Sequence, residues 1–199
     1  MEKLLLSEIA HCLNAECPEE KVITEISTDT RNLPAGCLFI AIKGERFDGH
    51  AFIKQAIENG AAAAVSEYPV DGCPCIVVKN TRTALLKLAK YYRSKFNPVL
   101  VGITGSVGKT TTKEMIALVL SEKYKTLKTQ GNLNNEIGLP KTLFNLDSSY
   151  QAAVIEMGMS DFGEIERLSN TAVPTIGVIT NIGSVSYTHL RAHETEADL

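Results

Sequence analysis

The chain runs to 199 residues, enough for one large or two small domains that each bury a core, and 44% of them are hydrophobic, as in an ordinary globular protein. A formal net charge of −3 with both signs interspersed gives no basic footprint, so charge adds nothing to a nucleic-acid reading and no nucleic-acid partner is expected. The N-terminal apolar run Leu4-Leu5-Leu6 stops at Ser7-Glu8, too short for a signal peptide, and no segment is long enough to span a bilayer, so no membrane insertion is expected.

In chain order, Leu38-Phe39-Ile40-Ala41-Ile42 reads as a strand, residues 51–59 as a helix closed by Gly60, Ala62-Ala63-Ala64-Val65 as a short strand and Ile76-Val77-Val78 as another. These make a small α/β unit over residues 1–80. Thr81 then caps a helix whose apolar positions Leu85, Leu88, Ala89, Tyr92 and Phe96 recur at helical spacing, and Asn97-Pro98 stops it, so residues 81–97 read as a connecting helix. Over residues 98–183 the pattern alternates: strand 99–104, helix 109–123, an Asn-rich turn, helix 135–145, strand 152–156, helix 162–169 and strand 175–180. Alternating elements with Val/Ile-rich strands imply an α/β fold, here a parallel sheet covered on both faces. The five cysteines (Cys12, Cys17, Cys37, Cys73, Cys75) are odd in number, and no second Cys/His pair completes a zinc site with Cys73-Pro74-Cys75, so they read as reduced thiols of a cytoplasmic protein.

The feature with the clearest chemistry is Gly105-Ser106-Val107-Gly108-Lys109-Thr110-Thr111, which follows the apolar run Val99 to Thr104 and precedes a helical pattern. A strand entering a glycine-rich turn that opens a helix is a phosphate cradle. Backbone N–H groups surround a polyphosphate, Lys109 reaches the outer phosphates, and the Thr110 hydroxyl is placed to ligate Mg²⁺. The long form of the motif would want glycine at position 103, where Ile103 stands; the spacing is the shorter G-x-x-G-K-T-T. ATP or GTP is the expected ligand, and nucleotide binding alone names no reaction.

Ligand chemistry in parallel sheets collects at the carboxyl ends of the strands, where the loop 105–111, Glu156 and Asn181 all fall. Glu156 suits a second Mg²⁺ contact, the alternative being a carboxylate that caps a helix or is solvated. The run Gly131-Asn132-Leu133-Asn134-Asn135-Glu136 is dense in amides, and Asn134 and Asn135 serve equally well as substrate contacts or as a helix N-cap. In the first unit, Ser27-Thr28-Asp29-Thr30-Arg31 and Lys43-Gly44-Glu45-Arg46-Phe47-Asp48-Gly49-His50 flank one strand. They could hold a phosphorylated ligand or simply be solvated loops.

Taken together these residues resemble the ATP-dependent Mur ligases of peptidoglycan synthesis over residues 1 to about 183. The resemblance rests on Thr28 to Arg31, Gly36 to Gly44, Phe47 to His50, Ile103 to Glu114, Gly131 to Pro140, Glu156-Met157-Gly158 and Thr180-Asn181-Ile182-Gly183, seven blocks in order. Lys113-Glu114-Met115 and Asn134 to Pro140 lean toward the member that adds D-alanyl-D-alanine to a UDP-N-acetylmuramoyl tripeptide. The resemblance implies a substrate domain over 1–80, an ATP-binding central domain over 98–183, and ATP and Mg²⁺ as cofactors, with no oligomeric state implied. It further implies Lys109 as catalytic, Gly105 to Thr111 as the nucleotide loop, and Thr110 and Glu156 at the metal. Asp29, Thr30, Arg31, Lys43, Gly44, Asp48, His50, Asn134 and Asn135 would contact the UDP-linked substrate. Another Mur-type ligase, or a phosphate-loop switch without ligase chemistry, are the competing readings.

Beyond Gly183 the sequence departs from that pattern. Ser186 stands where the family has a histidine, and Val185 to Thr195 resembles one frame of a transposase adapter used in sequencing libraries. Residues 184–199 are therefore expected to be a non-native tail whose His189 and His193 ligate nothing, and the chain as given is expected to lack ligase turnover.

Overall fold

The computed structural model describes residues 1–44 and 47–183, so the expectations for residues 184–199 lie outside the described residues. The chain divides into two compact units, Met1–Lys95 with Phe144–Asp147, and Phe96–Leu143 with the residues from Ser148 onward.

The first unit opens with strand β1 (Leu4–Leu5) and helix α1 (Leu6–Leu13), followed by β2 (Val22–Ile23), which pairs antiparallel with β1. Ser7-Glu8, which end the apolar run in sequence, form the first turn of α1, where the Glu8 carboxylate accepts the Leu5 backbone N–H at 2.9 Å. Next come β3 (Ile26–Ser27), β4 (Leu38–Ile40), a 3₁₀ turn Gly49–Phe52, α2 (Ile53–Glu58), β5 (Ala63–Ser66), β6 (Cys75–Val77) and α3 (Thr81–Ser94). Strands β3-β4-β5-β6 form a four-stranded, wholly parallel sheet in that order. β4 and β5 are buried along their whole length, as strands covered on both faces must be. The core gathers Cys37, Phe39, Ala41, Ile53, Ala56 and Ala64.

Helix α3 is amphipathic, as its spacing predicts, and belongs to the first unit rather than standing between the two. Its N-cap is Asn80, whose side chain accepts the Thr83 N–H at 2.8 Å; Thr81, expected in that role, is one residue further in. The Thr81 N–H instead donates to the Glu67 carboxylate at 3.1 Å. Tyr92 is fully buried, its ring edge-on to Phe144 and its hydroxyl donating to the Leu146 carbonyl at 2.7 Å, which ties the returning segment 144–147 to α3.

The second unit contains β7 (Val99–Thr104), α4 (Lys109–Ser121), β8 (Thr126–Lys128), α5 (Gly138–Leu143), β9 (Ala152–Glu156), α6 (Glu164–Ala172) and β10 (Ile176–Ile179). Its sheet is again wholly parallel, in the order β10-β7-β9-β8. The centre is β7 and β9; β9 is buried at every residue, whereas β10 at the edge is largely exposed. β8 lies in a stretch that reads as a turn, because a three-residue strand among lysines leaves no periodic signal. No helix among the described residues is long and apolar enough to cross a membrane.

Candidate functional site

In the second unit β7 ends at Thr104 and α4 begins at Lys109, so only four residues make the turn between them. Gly105 has φ +135°, and a Cβ there would stand 2.3 Å from Thr180 Oγ1 and within 3.0 Å of the Asn181 backbone. Gly108, at φ +82°, is the N-cap of α4. Both positions disfavour ordinary side chains, and the turn they create opens directly into α4, whose first N–H groups have no partner inside the helix.

The segment after β10 braces this turn. The Ser106 N–H donates to the Asn181 carbonyl at 2.9 Å, the Thr180 hydroxyl donates to the Val107 carbonyl at 2.6 Å, and the Gly183 N–H donates to Ser106 Oγ at 2.9 Å. Lys109 is half-buried and folds back, its ammonium donating to the Gly105 carbonyl at 2.6 Å. A cation held by loop carbonyls at the start of a helix has the chemistry that suits a polyphosphate. Val107, Thr110 and Thr111 lie exposed along the same turn.

At the end of β9, Glu156 is 2% exposed, and both carboxylate oxygens and the backbone N–H are engaged. Its Oε2 accepts the Thr110 hydroxyl at 3.1 Å, its Oε1 accepts the Asn134 amide at 2.8 Å, and its backbone N–H donates to Thr129 Oγ1 at 2.9 Å. The sequence-predicted pair Thr110 and Glu156 is therefore brought together. No group of three or more His, Cys, Asp or Glu side chains poised for a metal occurs among the described residues. A hydroxyl beside one carboxylate still fits Mg²⁺, which takes few protein oxygens and fills the rest of its octahedron with phosphate oxygens and water.

The two asparagines separate in role. Asn134 reaches Glu156, and its carbonyl accepts the Gly158 N–H at 2.7 Å, whereas Asn135 Oδ1 accepts the N–H groups of Ile137 and Gly138 at 3.1 and 2.8 Å. Asn135 is the cap of the turn leading into α5, and of the two only Asn134 touches the site. Sequence reasoning missed Lys113 and Thr129 as parts of this site. Lys113 could have been found, since it follows Lys109 by four residues and Thr110 by three, on the same face of α4.

In the first unit the loops after β3 and β4 lie at the carboxyl ends of adjacent parallel strands, where a ligand edge is expected. Asp29 clasps Arg31 within its own loop, with Oδ2 at 2.6 Å from Nη2 and Oδ1 at 2.9 Å from Nε, and leaves the Arg31 side chain 88% exposed. Thr30 sits between them. Lys43 bridges to Asp48 across a tight loop in which the Gly44 N–H donates to the Phe47 carbonyl at 2.9 Å.

His50 and Asp48, expected from the sequence as substrate contacts, are engaged with one another within the first unit. The His50 side chain is 1% exposed; the Glu67 N–H donates to its Nε2 at 3.0 Å, which assigns the ring proton to Nδ1, donated to Asp48 Oδ1 at 2.6 Å. Its ring stacks on Tyr68 with centroids 4.9 Å apart. Both nitrogens are thus occupied inside the protein. Asp48 caps the 3₁₀ turn by also accepting the His50 N–H at 3.0 Å, and this backbone bond, with that from the His50 ring, holds its carboxyl below the usual range. The five cysteines are free, and burial pushes the thiols of Cys12, Cys37 and Cys75 up, which disfavours the thiolate a metal would need.

Known proteins resemble this chain in sequence and fold. A model of the Mur ligase middle domain matches residues 103–199, and one of the Mur ligase family catalytic domain matches residues 22–93. The UDP-N-acetylmuramoyl-tripeptide–D-alanyl-D-alanine ligase of Synechocystis is 48% identical over 83% of this chain and 37% of its own length, and that of Bacillus subtilis is 47% identical over 90% and 40%. A crystal structure of MurF from Acinetobacter baumannii superposes with a TM-score of 0.89 at 36% identity, covering 95% of this chain and 43% of that one. MurF ligase from Thermotoga maritima in complex with ADP gives 0.76 at 38% identity, covering 82% and 38%. The chain thus spans about two fifths of the length of the relatives it matches. With one model covering the loops of the first sheet, a second covering the phosphate turn and Glu156, and superposition over 95% of the chain on a solved relative, this chain belongs to the Mur ligase family.

Proposed function

We propose that this chain carries the substrate- and nucleotide-binding parts of an ATP-dependent, ADP-forming ligase that joins D-alanyl-D-alanine to a UDP-N-acetylmuramoyl tripeptide in the cytoplasm. The observation that carries this reading is the phosphate turn joined to Glu156 through the Thr110 hydroxyl, in a chain 48% identical to a ligase of that name.

In the reaction, a carboxylate oxygen of the tripeptide attacks the γ-phosphorus of ATP and the bond to the bridging β–γ oxygen breaks, releasing ADP and leaving an acyl phosphate. The D-alanyl-D-alanine amine then attacks the acyl carbon, phosphate departs and the amine proton is lost. Attack of one anion on another needs charge neutralisation at the transferring phosphoryl group. The N–H groups at the start of α4 bind the phosphates, and Lys109 exchanges the Gly105 carbonyl for phosphate oxygens. Thr110 and Glu156 would hold Mg²⁺, which when bound neutralises charge on the phosphoryl group. Asn134 keeps the Glu156 carboxylate turned toward Thr110. On the first unit, Arg31, Thr30, Lys43 and Gly44 are the groups left open to the UDP end of the substrate.

Equilibrium binding tests both halves. The chain is expected to bind ADP with Mg²⁺ and, saturably, UDP-N-acetylmuramoyl tripeptide; Lys109→Met removes the first and keeps the second. Nucleotide binding without any affinity for the tripeptide would instead favour a phosphate-loop switch.

A further inference from the structure

Lys113 is a second lysine of α4, 1% exposed, and the mechanism above does not use it. Its ammonium lies 3.1 Å from Glu114 Oε1 and 3.7 Å from Glu156 Oε2, the same oxygen that accepts the Thr110 hydroxyl. Glu114 is pinned from its other side by Lys128 on β8. The result is a row of alternating charge, Glu156, Lys113, Glu114 and Lys128, that starts at the candidate metal carboxylate and ends at the edge of the sheet.

A buried ammonium is costly unless paired, and a pair of leucines would fill such a space at least as stably. The arrangement therefore calls for a purpose at its buried end. We propose that Lys113 is a positioning residue, which fixes the Glu156 carboxylate from the side opposite Asn134 so that Oε2 stays beside the Thr110 hydroxyl and meets the divalent cation that arrives with the nucleotide. This rests on the nucleotide reading above and adds to it a residue that touches neither nucleotide nor metal.

The geometry argues for action on the site through Glu156, while Glu114 holds the same ammonium from outside the site. Lys109 and Lys113 stand one helical turn apart on α4, but Lys109 reaches back to the loop carbonyl of Gly105 while Lys113 is directed to carboxylates. Asn134 holds one oxygen of Glu156, and Lys113 with the Thr110 hydroxyl the other, so loss of the ammonium loosens the oxygen that meets the cation and leaves the hydroxyl to hold it. Partners that orient a ligating group typically change metal affinity 10–100-fold when removed.

The test is calorimetric titration of ADP into the chain, once with MgCl₂ and once with EDTA. Lys113→Met is expected to reduce the Mg²⁺-dependent gain in ADP affinity about tenfold while the affinity in EDTA stays within about twofold of wild type. Lys113→Arg is expected to restore most of the gain. Because Lys113→Met leaves a buried carboxylate without its cation, the same substitution is also made in a Glu156→Gln background. There it should change the Mg²⁺ dependence no further, since its route of action is already gone. An unaltered Mg²⁺ gain in Lys113→Met, an equal loss with and without the metal, or a further loss in the Glu156→Gln background overturns the proposal. Failure of the wild-type chain to bind ADP at all would overturn the nucleotide reading itself, and this inference with it.

Discussion

The two units solve the same architectural problem with the same elements and end with opposite loop chemistry. Each is a four-stranded parallel sheet with buried central strands and polar loops at the carboxyl ends. In the first unit those polar groups answer one another: Asp48 and Glu67 hold both nitrogens of His50, Glu67 also takes the Thr81 N–H, and Asp29 takes Arg31. In the second, the turn after β7 is braced from outside by Thr180 to Gly183, and Lys109 is held only by carbonyl oxygens that a phosphate can replace. A residue type seen in a loop therefore indicates a ligand only after its internal partners are known. His50 looks like a ligand group and works as a fastener; Lys109 looks like a ligand group and is held by loop carbonyls, which leaves it suited to the phosphate role proposed above.

Substitutions can break that contrast. The largest effect is expected from Gly105→Ala, because its Cβ would collide with Thr180 and the Asn181 backbone at a positive φ; unfolding of the second unit should lose about 3 kcal/mol or more, with the first unit's transition unchanged in denaturant titration. Lys109→Met should separate binding from stability, losing ADP affinity at least about 100-fold, near 3 kcal/mol, while its unfolding free energy moves by less than about 0.5 kcal/mol. His50→Ala should do the reverse in the first unit, costing about 2–3 kcal/mol of stability by emptying a buried site and orphaning the Glu67 N–H, with ADP binding untouched. If His50→Ala instead left stability intact and abolished tripeptide binding, the contrast between the units would fail.

Smaller effects sharpen it. Glu8→Ala should cost the first unit about 1 kcal/mol, since Glu8 accepts the Leu5 N–H at the start of α1 and meets the Tyr91 hydroxyl of α3 at 3.2 Å and Lys95, at the C-cap of α3, at 3.0 Å. The same group sets a pH dependence. The Leu5 N–H, followed by Lys95, lowers the folded-state pKa of Glu8, so its stabilisation is complete above the ordinary glutamate range near 4.3 and disappears as pH falls through the lowered value. Acid unfolding monitored in wild type and Glu8→Ala should converge at the acidic end and separate above it. Arg31→Ala should be the mildest for stability, below about 0.5 kcal/mol, because an 88% exposed ion pair is screened by water; its effect should be read in tripeptide affinity.

Much of the second unit was legible in the sequence because its signals are local. A Val/Ile-rich strand, a glycine turn and a Gly-Lys-Thr-Thr helix start are contiguous, and Thr110 with Glu156 follows from placing a carboxylate at the next strand end. The short elements were not legible: β1, β2, β3 and β8 span two or three residues each, too few for a period to register, and α1 hides behind an apolar run that its own first turn continues. Asn134 and Asn135 could not be told apart, since capping and ligand contact ask for the same amide.

By itself, then, the sequence determined the α/β class, the phosphate turn and the family, because these depend on chain-adjacent patterns and on backbone conformations only glycine tolerates. Only the tertiary structure decided which polar side chains are available. His50 finds Glu67 seventeen residues away, Asn134 finds Glu156 at twenty-two, and Lys113 on α4 joins a carboxylate on β9. Hydrogen bonding and charge pairing act over a few ångströms in space, and nothing in a chain's order records which distant groups the packing within each unit will bring that close.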